Sequence, residues 1–183
     1  MEDRNDIRRK KNMIQYCKRC CLPSTKPHLS FDEEGICNAC RNYENRKNVD
    51  WDERKKELME ILDRYRSKDG SNWDCIIPVS GGKDSTYQVI TMLELGMNPL
   101  CVTATTCDLT DIGRRNIENI KKMGVDYIEV TTNRVVRAKL NRIGLTEVGD
   151  ISWPEHVSIF TVPVRMAVNF NVPLIIWGEN SQN

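Results

Sequence analysis

From Trp73 onward the chain repeats one pattern, a short and almost unbroken apolar run followed by a segment with helical spacing. DCIIPV leads into a helix from about Ser85 to Leu95, and PLCVTAT into one from about Asp111 to Met123. DYIEVT leads into a mixed helical stretch that includes a helix around Val162 to Asn169, and VPLIIWG closes the series. An apolar run without polar alternation is buried on both faces, as a parallel strand between two layers of helices must be. Parallel neighbours cannot be joined by a tight hairpin, and the intervening helices provide the crossovers they need. The pattern therefore predicts an α/β fold, a doubly wound parallel sheet of four strands over residues 73–183. Pro78 falls at the exit of the first strand, where a missing ladder donor does least harm.

The part before Trp73 follows other rules. At roughly 150 residues per domain, 183 residues allow one ordinary domain and a small appendage. Residues 1–12 are charged and read as a disordered leader, with Met13 an alternative start. Residues 13–48 hold too few apolar side chains to fold by burial, so something else must staple them. Cys17-Lys18-Arg19-Cys20 and Cys37-Asn38-Ala39-Cys40 are separated by sixteen residues, the spacing of a closed four-thiolate site. Each C-x2-C turn aims two sulfurs at one ion, so Cys17, Cys20, Cys37 and Cys40 are the predicted ligands of a structural zinc in a small ribbon. Cys21 is a fifth nearby thiol and His28 is not needed. An iron–sulfur cluster uses the same ligands and stays open as an alternative. Residues 49–72 read as an amphipathic helix, with Leu58, Ile61, Leu62 and Tyr65 on one face, ended by the polar turn Lys68 to Asn72.

Charge and hydropathy narrow the setting. A net charge of +1 creates no broad field for gripping a polyanion, which makes a nucleic-acid partner unexpected. No signal peptide opens the chain and no run approaches about 18 uninterrupted apolar residues, so a cytoplasmic location without membrane contact is expected. The cytosol keeps thiols reduced, which favours metal ligands or buried thiols over disulfides for the eight cysteines. Cys75 and Cys101 lie in strand patterns and read as small buried hydrophobes, whereas Cys107 lies past a strand end and reads as a candidate reactive thiol.

After the first strand comes Ser80-Gly81-Gly82-Lys83-Asp84-Ser85, and a helix begins at once. A strand-to-helix loop offers unpaired N–H groups and the positive end of the helix dipole to a phosphate. Gly81 and Gly82 remove Cβ atoms that would block close approach, Ser80 and Ser85 add hydroxyls, and Lys83 adds a full charge. The Walker spacing is absent, and an ordinary glycine turn is the alternative. Ligands of open parallel sheets sit beyond the carboxyl ends of the strands, which nominates Thr103, Thr105, Gly178, Glu179 and Asn180. His156 divides between packing and substrate contact, and Arg165 between phosphate contact and a helix surface charge.

SGGKDS is the signature of the PP-loop ATP pyrophosphatases, which cleave ATP between the α and β phosphates. Four segments together, YCKRCCLPSTKPHLSFDEEGICNAC, PVSGGKDST, TDIGRRNIENIKKMGVDYIEV and EHVSIFTVPVRMAVNFNVPLIIWGEN, resemble the N-acetyl sugar amidotransferases of surface-polysaccharide, lipopolysaccharide and nonulosonate biosynthesis. The resemblance covers nearly the whole chain after Met13. It implies ATP and Mg²⁺ as cofactors, and conversion of a sugar acetamido group to an acetamidino group. The amide oxygen would attack the α-phosphate, pyrophosphate would leave, and ammonia would displace AMP. Ser80, Gly81, Gly82, Lys83, Asp84 and Ser85 would cradle the pyrophosphate, with Asp84 holding Mg²⁺. Thr103, Thr105 and Gly178 would border the nucleotide. Glu179 and Asn180, with Lys83 and Asp84, would serve the reacting groups. The resemblance also implies a glutamine amidotransferase subunit that supplies ammonia, and a domain that continues past the fourth strand, as if this chain were truncated. A PP-loop tRNA thiolase and a non-catalytic nucleotide-binding adaptor are the alternatives.

Overall fold

The computed structural model of the chain describes residues 14–106 and 109–178. The expected leader, Met13, Cys107, Glu179 and Asn180 lie outside the described residues. Two compact units divide the chain, one up to Lys56 and one from Glu57.

The first unit is built from turns. Antiparallel bridges join Tyr16 to Pro23 and Phe31 to Cys37, and helix α1, Asn38–Asn45, follows directly. Arg41 on this helix ties the unit's turns together, donating to Asp32 at 2.7 Å, to Glu44 at 3.1 Å and to Glu34. Helix α2, Trp51–Tyr65, starts in this unit and ends in the next.

The second unit is organised by three parallel strands in the order β1 (Cys75–Pro78), β2 (Pro99–Thr105) and β3 (Asp126–Thr131). Helices α3 (Lys83–Glu94) and α4 (Asp111–Lys121) make the two crossovers. Because side chains alternate along a strand, the sheet has two apolar faces. Cys75, Ile77, Val79 and Cys101 meet Leu62 of α2, Val89 and Met92 of α3 and Ile120 of α4. Ile76, Leu100 and Val102 meet Val162 and Ala167 on the other face. The fold is therefore the doubly wound α/β sheet that the apolar runs predict. Burial pushes the thiols of Cys75 and Cys101 up to about 12, so both are inert hydrophobes.

Two elements differ from the sequence reading. The expected fourth strand is a single parallel bridge, Ile175 beside Ile76. Ile76 donates to the Leu174 carbonyl and accepts from Ile176, both at 2.9 Å. Residues two apart in a strand face the same edge, so the next donor toward this neighbour would be Pro78, which has none. The pairing stops there. After β3 the chain forms α5, Arg134–Ile143, a π-helical turn, Gly144–Val148, and then α6, Trp153–Phe170. The last is one long helix where a shorter one around Val162–Asn169 was expected. Pro154 sits in its first turn, where no intrahelical donor is needed, and buried Pro163 is accommodated inside it. Among the described residues no helix is long and apolar enough to cross a membrane.

Candidate functional site

Strand order reverses beside β1. The chain steps outward from β1 to β2 to β3 along one face, then returns through α5 and α6 to lay residues 174–176 on the free edge of β1. At such a reversal the connections leave in opposite directions and a crevice opens past the strand ends. A cavity of about 380 Å³ lies there. Ser80, Asp84 and Ser85 form its loop side, Thr103 and Thr105 border it from the end of β2, and Gly178 closes it after the bridged segment. Six residues nominated on local grounds thus converge on one space.

The loop itself is shaped by its glycines and its neighbours. Gly81 is buried with φ +78°, in the left-handed region that side chains avoid. A Cβ there would stand 3.2 Å from Ile117 Cγ1 and 3.3 Å from the Gly113 carbonyl. Asn116, also on α4, donates from Nδ2 to the Gly81 carbonyl at 3.0 Å. Gly82 is the N-cap of α3, and among the described residues no side chain caps this helix. The hydroxyls of Ser85 and Thr86 donate back to the Gly82 carbonyl at 3.1 and 2.9 Å. The first N–H groups of α3 have no intrahelical acceptor, so the helix end is open to an anion.

The remaining nominated residues divide. Lys83 points to solvent, 89% exposed, with Nζ 2.8 Å from Asp84 Oδ1. An exposed ion pair is held weakly, so a phosphate can draw the ammonium away at small cost. The Thr103 hydroxyl is committed, donating to the Val79 carbonyl and bonded also to the Tyr127 hydroxyl. Thr105 Oγ1 is buried and has no partner among the described residues, which leaves it available to a ligand. His156 and Arg165 are exposed on α6 and do not line the cavity. Sequence reasoning missed the opposite wall, where Phe160, Pro163 and Trp177 face the space. The Phe160 and Trp177 rings lie 5.3 Å apart. It missed Gln88 as well, although Gln88 follows Asp84 by four residues and so shares its helix face.

In the first unit the Sγ atoms of Cys17, Cys20, Cys37 and Cys40 all lie within 4.8 Å of one another. Cys17 and Cys40 are 4.0 Å apart and Cys20 and Cys37 3.5 Å. Four thiolates at about 2.3 Å from a zinc ion stand about 3.8 Å from each other, so the donor set fits a tetrahedral ion. Burial raises the Cys17 thiol, yet the N–H groups of Cys20, Cys37 and Arg19 outweigh it and lower the group to about 6. Burial and the neighbouring sulfurs push Cys40 up to about 12. Four thiols so close do not all ionise unless a cation shares them.

An α/β fold with a loop opening on the crevice at the strand reversal defines the class, and the comparisons place it among known folds. No family model matches the chain. An uncharacterized protein of Methanocaldococcus jannaschii, MJ1599, is 31% identical over 108 residues, which are 58% of this chain and 38% of that protein. The structure of NMN synthetase from Francisella tularensis aligns with a TM-score of 0.52 at 14% identity, covering 71% of this chain and 55% of that one. The NH3-dependent NAD synthetase from Campylobacter jejuni, solved with a nitrate ion, aligns at 0.54 and 13%, covering 72% and 58%. The second unit has the NAD synthetase fold. The chain spans little more than half of either structure and well under half of the sequence relative.

Proposed function

We propose that this chain is the nucleotide-binding part of an ATP-dependent, AMP- and pyrophosphate-forming amidotransferase that turns a sugar acetamido group into an acetamidino group. The observation that carries the ATP half is the uncapped loop Ser80–Ser85 opening on the cavity at the strand reversal, in the fold of enzymes that include an NH3-dependent synthetase. That name supports ammonia as the incoming nucleophile, and the resemblance carried by the cysteine pairs and the segment after Thr110 supports the acetamido sugar.

The chemistry asks for help at one place above all. An amide carbon is a poor electrophile until its oxygen is adenylated, and the barrier lies in the charge that gathers on the departing pyrophosphate. The open N–H groups of α3, the hydroxyls of Ser80 and Ser85 and the ammonium of Lys83 address that charge, and Asp84 is the residue that would hold Mg²⁺ against it. Thr105 and Gly178 border the nucleotide. Phe160, Pro163 and Trp177 form an apolar wall that keeps water from an activated intermediate. Glu179 and Asn180 would attend the reacting amide, a glutamine amidotransferase subunit would deliver ammonia, and zinc on the four cysteines would be structural.

Calorimetry with ATP-Mg, pyrophosphate and adenosine tests the nucleotide half. Lys83→Ala should weaken ATP and pyrophosphate about tenfold or more and leave adenosine unchanged, because charge-assisted contacts are the stronger kind. For turnover, the natural full-length protein with ammonia, ATP-Mg and an acetamido sugar should form AMP, pyrophosphate and a product lighter by about one mass unit, as NH replaces O. An unchanged sugar, together with thiolation of tRNA when a sulfur donor is given, would reject the sugar reading.

A further inference from the structure

Two glycines in succession make the Gly81–Gly82 peptide the link of the loop most free to rotate. Its orientation matters because a planar trans peptide points its C=O and its N–H in opposite directions. Turned one way, the peptide offers a donor to a bound anion. Turned the other way, it presents a carbonyl oxygen, a partial negative charge, to the same anion. Within the loop the N–H of this peptide leans on the Ser80 hydroxyl at 3.3 Å, and its carbonyl is held from outside the loop.

We infer that Asn116, on the crossover helix α4, is the positioning residue that decides. Its amide Nδ2 donates to the Gly81 carbonyl at 3.0 Å and so draws that oxygen toward α4. The partner N–H, on Gly82, then faces the other way, where its contact is the Ser80 hydroxyl at 3.3 Å. Ser80 lines the cavity. The hold is close as well as directional, since α4 leaves a Cβ on Gly81 only 3.2 Å from Ile117 Cγ1. At the loop's other end the Val79 carbonyl is taken by the Thr103 hydroxyl. The Val79 and Gly81 carbonyls on either side of Ser80 are thus occupied by side chains, and the Gly82 N–H is turned to the side of Ser80, where a bound anion would compete with the Ser80 hydroxyl for it. Asn116 does not line the cavity among the described residues, so its effect is on the loop's readiness to accept a diphosphate.

The inference rests on the phosphate-binding reading of the loop, and the test separates the two. Asn116→Asp is nearly isosteric but cannot donate when ionised, and Asn116→Ala removes the donor without adding charge. Calorimetry of the whole chain with Mg-pyrophosphate, ATP-Mg and adenosine, beside Lys83→Ala, gives the reading. Both Asn116 variants should bind pyrophosphate and ATP about tenfold more weakly, with Asn116→Asp the worse, while adenosine affinity holds. The Gly82 amide resonance should shift in both without a change in the α3 amides. Unaltered pyrophosphate binding in Asn116→Asp overturns the inference and leaves the loop reading intact if Lys83→Ala is impaired. Equal loss of adenosine and pyrophosphate overturns it too, since that is damage to the pocket as a whole. A wild-type chain that binds neither ATP nor pyrophosphate rejects the loop reading and the inference with it.

Discussion

Up to Lys56 the buried side chains among the described residues are two cysteines, Cys17 and Cys37, whereas from Glu57 onward the buried set is mainly aliphatic and extends over both faces of the sheet. The two units solve the same entropy problem differently. In the first, stabilisation is gathered at one point where four sulfurs converge, and the surrounding turns have little apolar area to contribute. In the second it is spread over many small burials, each worth about 1.5–3 kcal/mol. A unit held at one point should fail all at once, and a unit held everywhere should weaken by degrees.

The largest effect should come from removing the zinc proposed for the four cysteines. Zinc-site formation is worth on the order of 10–16 kcal/mol in small zinc modules, far above what the first unit can replace. A strong chelator, or Cys37→Ser, should therefore abolish hydrogen-exchange protection of residues 14–56 and leave that of the sheet strands. The untreated protein should carry one zinc per chain by metal analysis. Loss of protection in both units together would break the comparison, and iron with acid-labile sulfide would replace the zinc reading.

A smaller and graded effect should follow Ile76→Ala. Ile76 is fully buried on the sheet face that meets α6, and its backbone holds the bridged segment after that helix. Truncating a buried isoleucine costs about 2–5 kcal/mol. Denaturant unfolding should show that loss in the second unit alone, with metal affinity unchanged. A fall in metal affinity would show the units to be energetically joined.

The smallest effect concerns pH. Burial raises the Glu129 carboxyl, but Arg114 at 2.8 Å and Lys121 at 3.1 Å outweigh it and hold the group below its usual 4.5. A carboxyl lowered on folding stabilises the native state above its unfolded value, and that share is lost as pH falls from about 4.5 through the lower folded value. Both cations are partly exposed, so the share is under about 1 kcal/mol. Thermal melts between pH 6 and pH 3 should fall less steeply for Glu129→Gln than for the wild type. Identical slopes would place the acid sensitivity elsewhere.

Much of the fold was legible because it is written in local patterns. Unbroken runs such as DCIIPV and PLCVTAT between helical segments suit strands buried on both faces, and the loop between strand and helix was visible as SGGKDS. The fourth strand was legible as an apolar run and illegible as a single bridge, since its extent depends on Pro78 in another part of the chain. Helix α6 was legible only in its second half, around Val162 to Asn169, whereas it runs from Trp153 with Pro154 in its first turn and Pro163 inside the packed helix. Phe160 and Trp177 carry no local signal of a site, and only the return of the chain to the free edge of β1 brings them to the cavity.

The sequence by itself determined the class of sheet, the grouping of the four thiols and the glycine loop between strand and helix, because each depends on residues near one another along the chain or on a spacing that a turn enforces. The tertiary structure alone decided where strand order reverses and which helix faces the loop. It therefore decided that Asn116 holds the Gly81 carbonyl from 35 residues away, that the Thr103 hydroxyl is spent on Val79, and that Thr105 Oγ1 has no partner among the described residues. Those facts depend on directions in space between distant segments, and a hydrogen bond needs direction as well as chemistry.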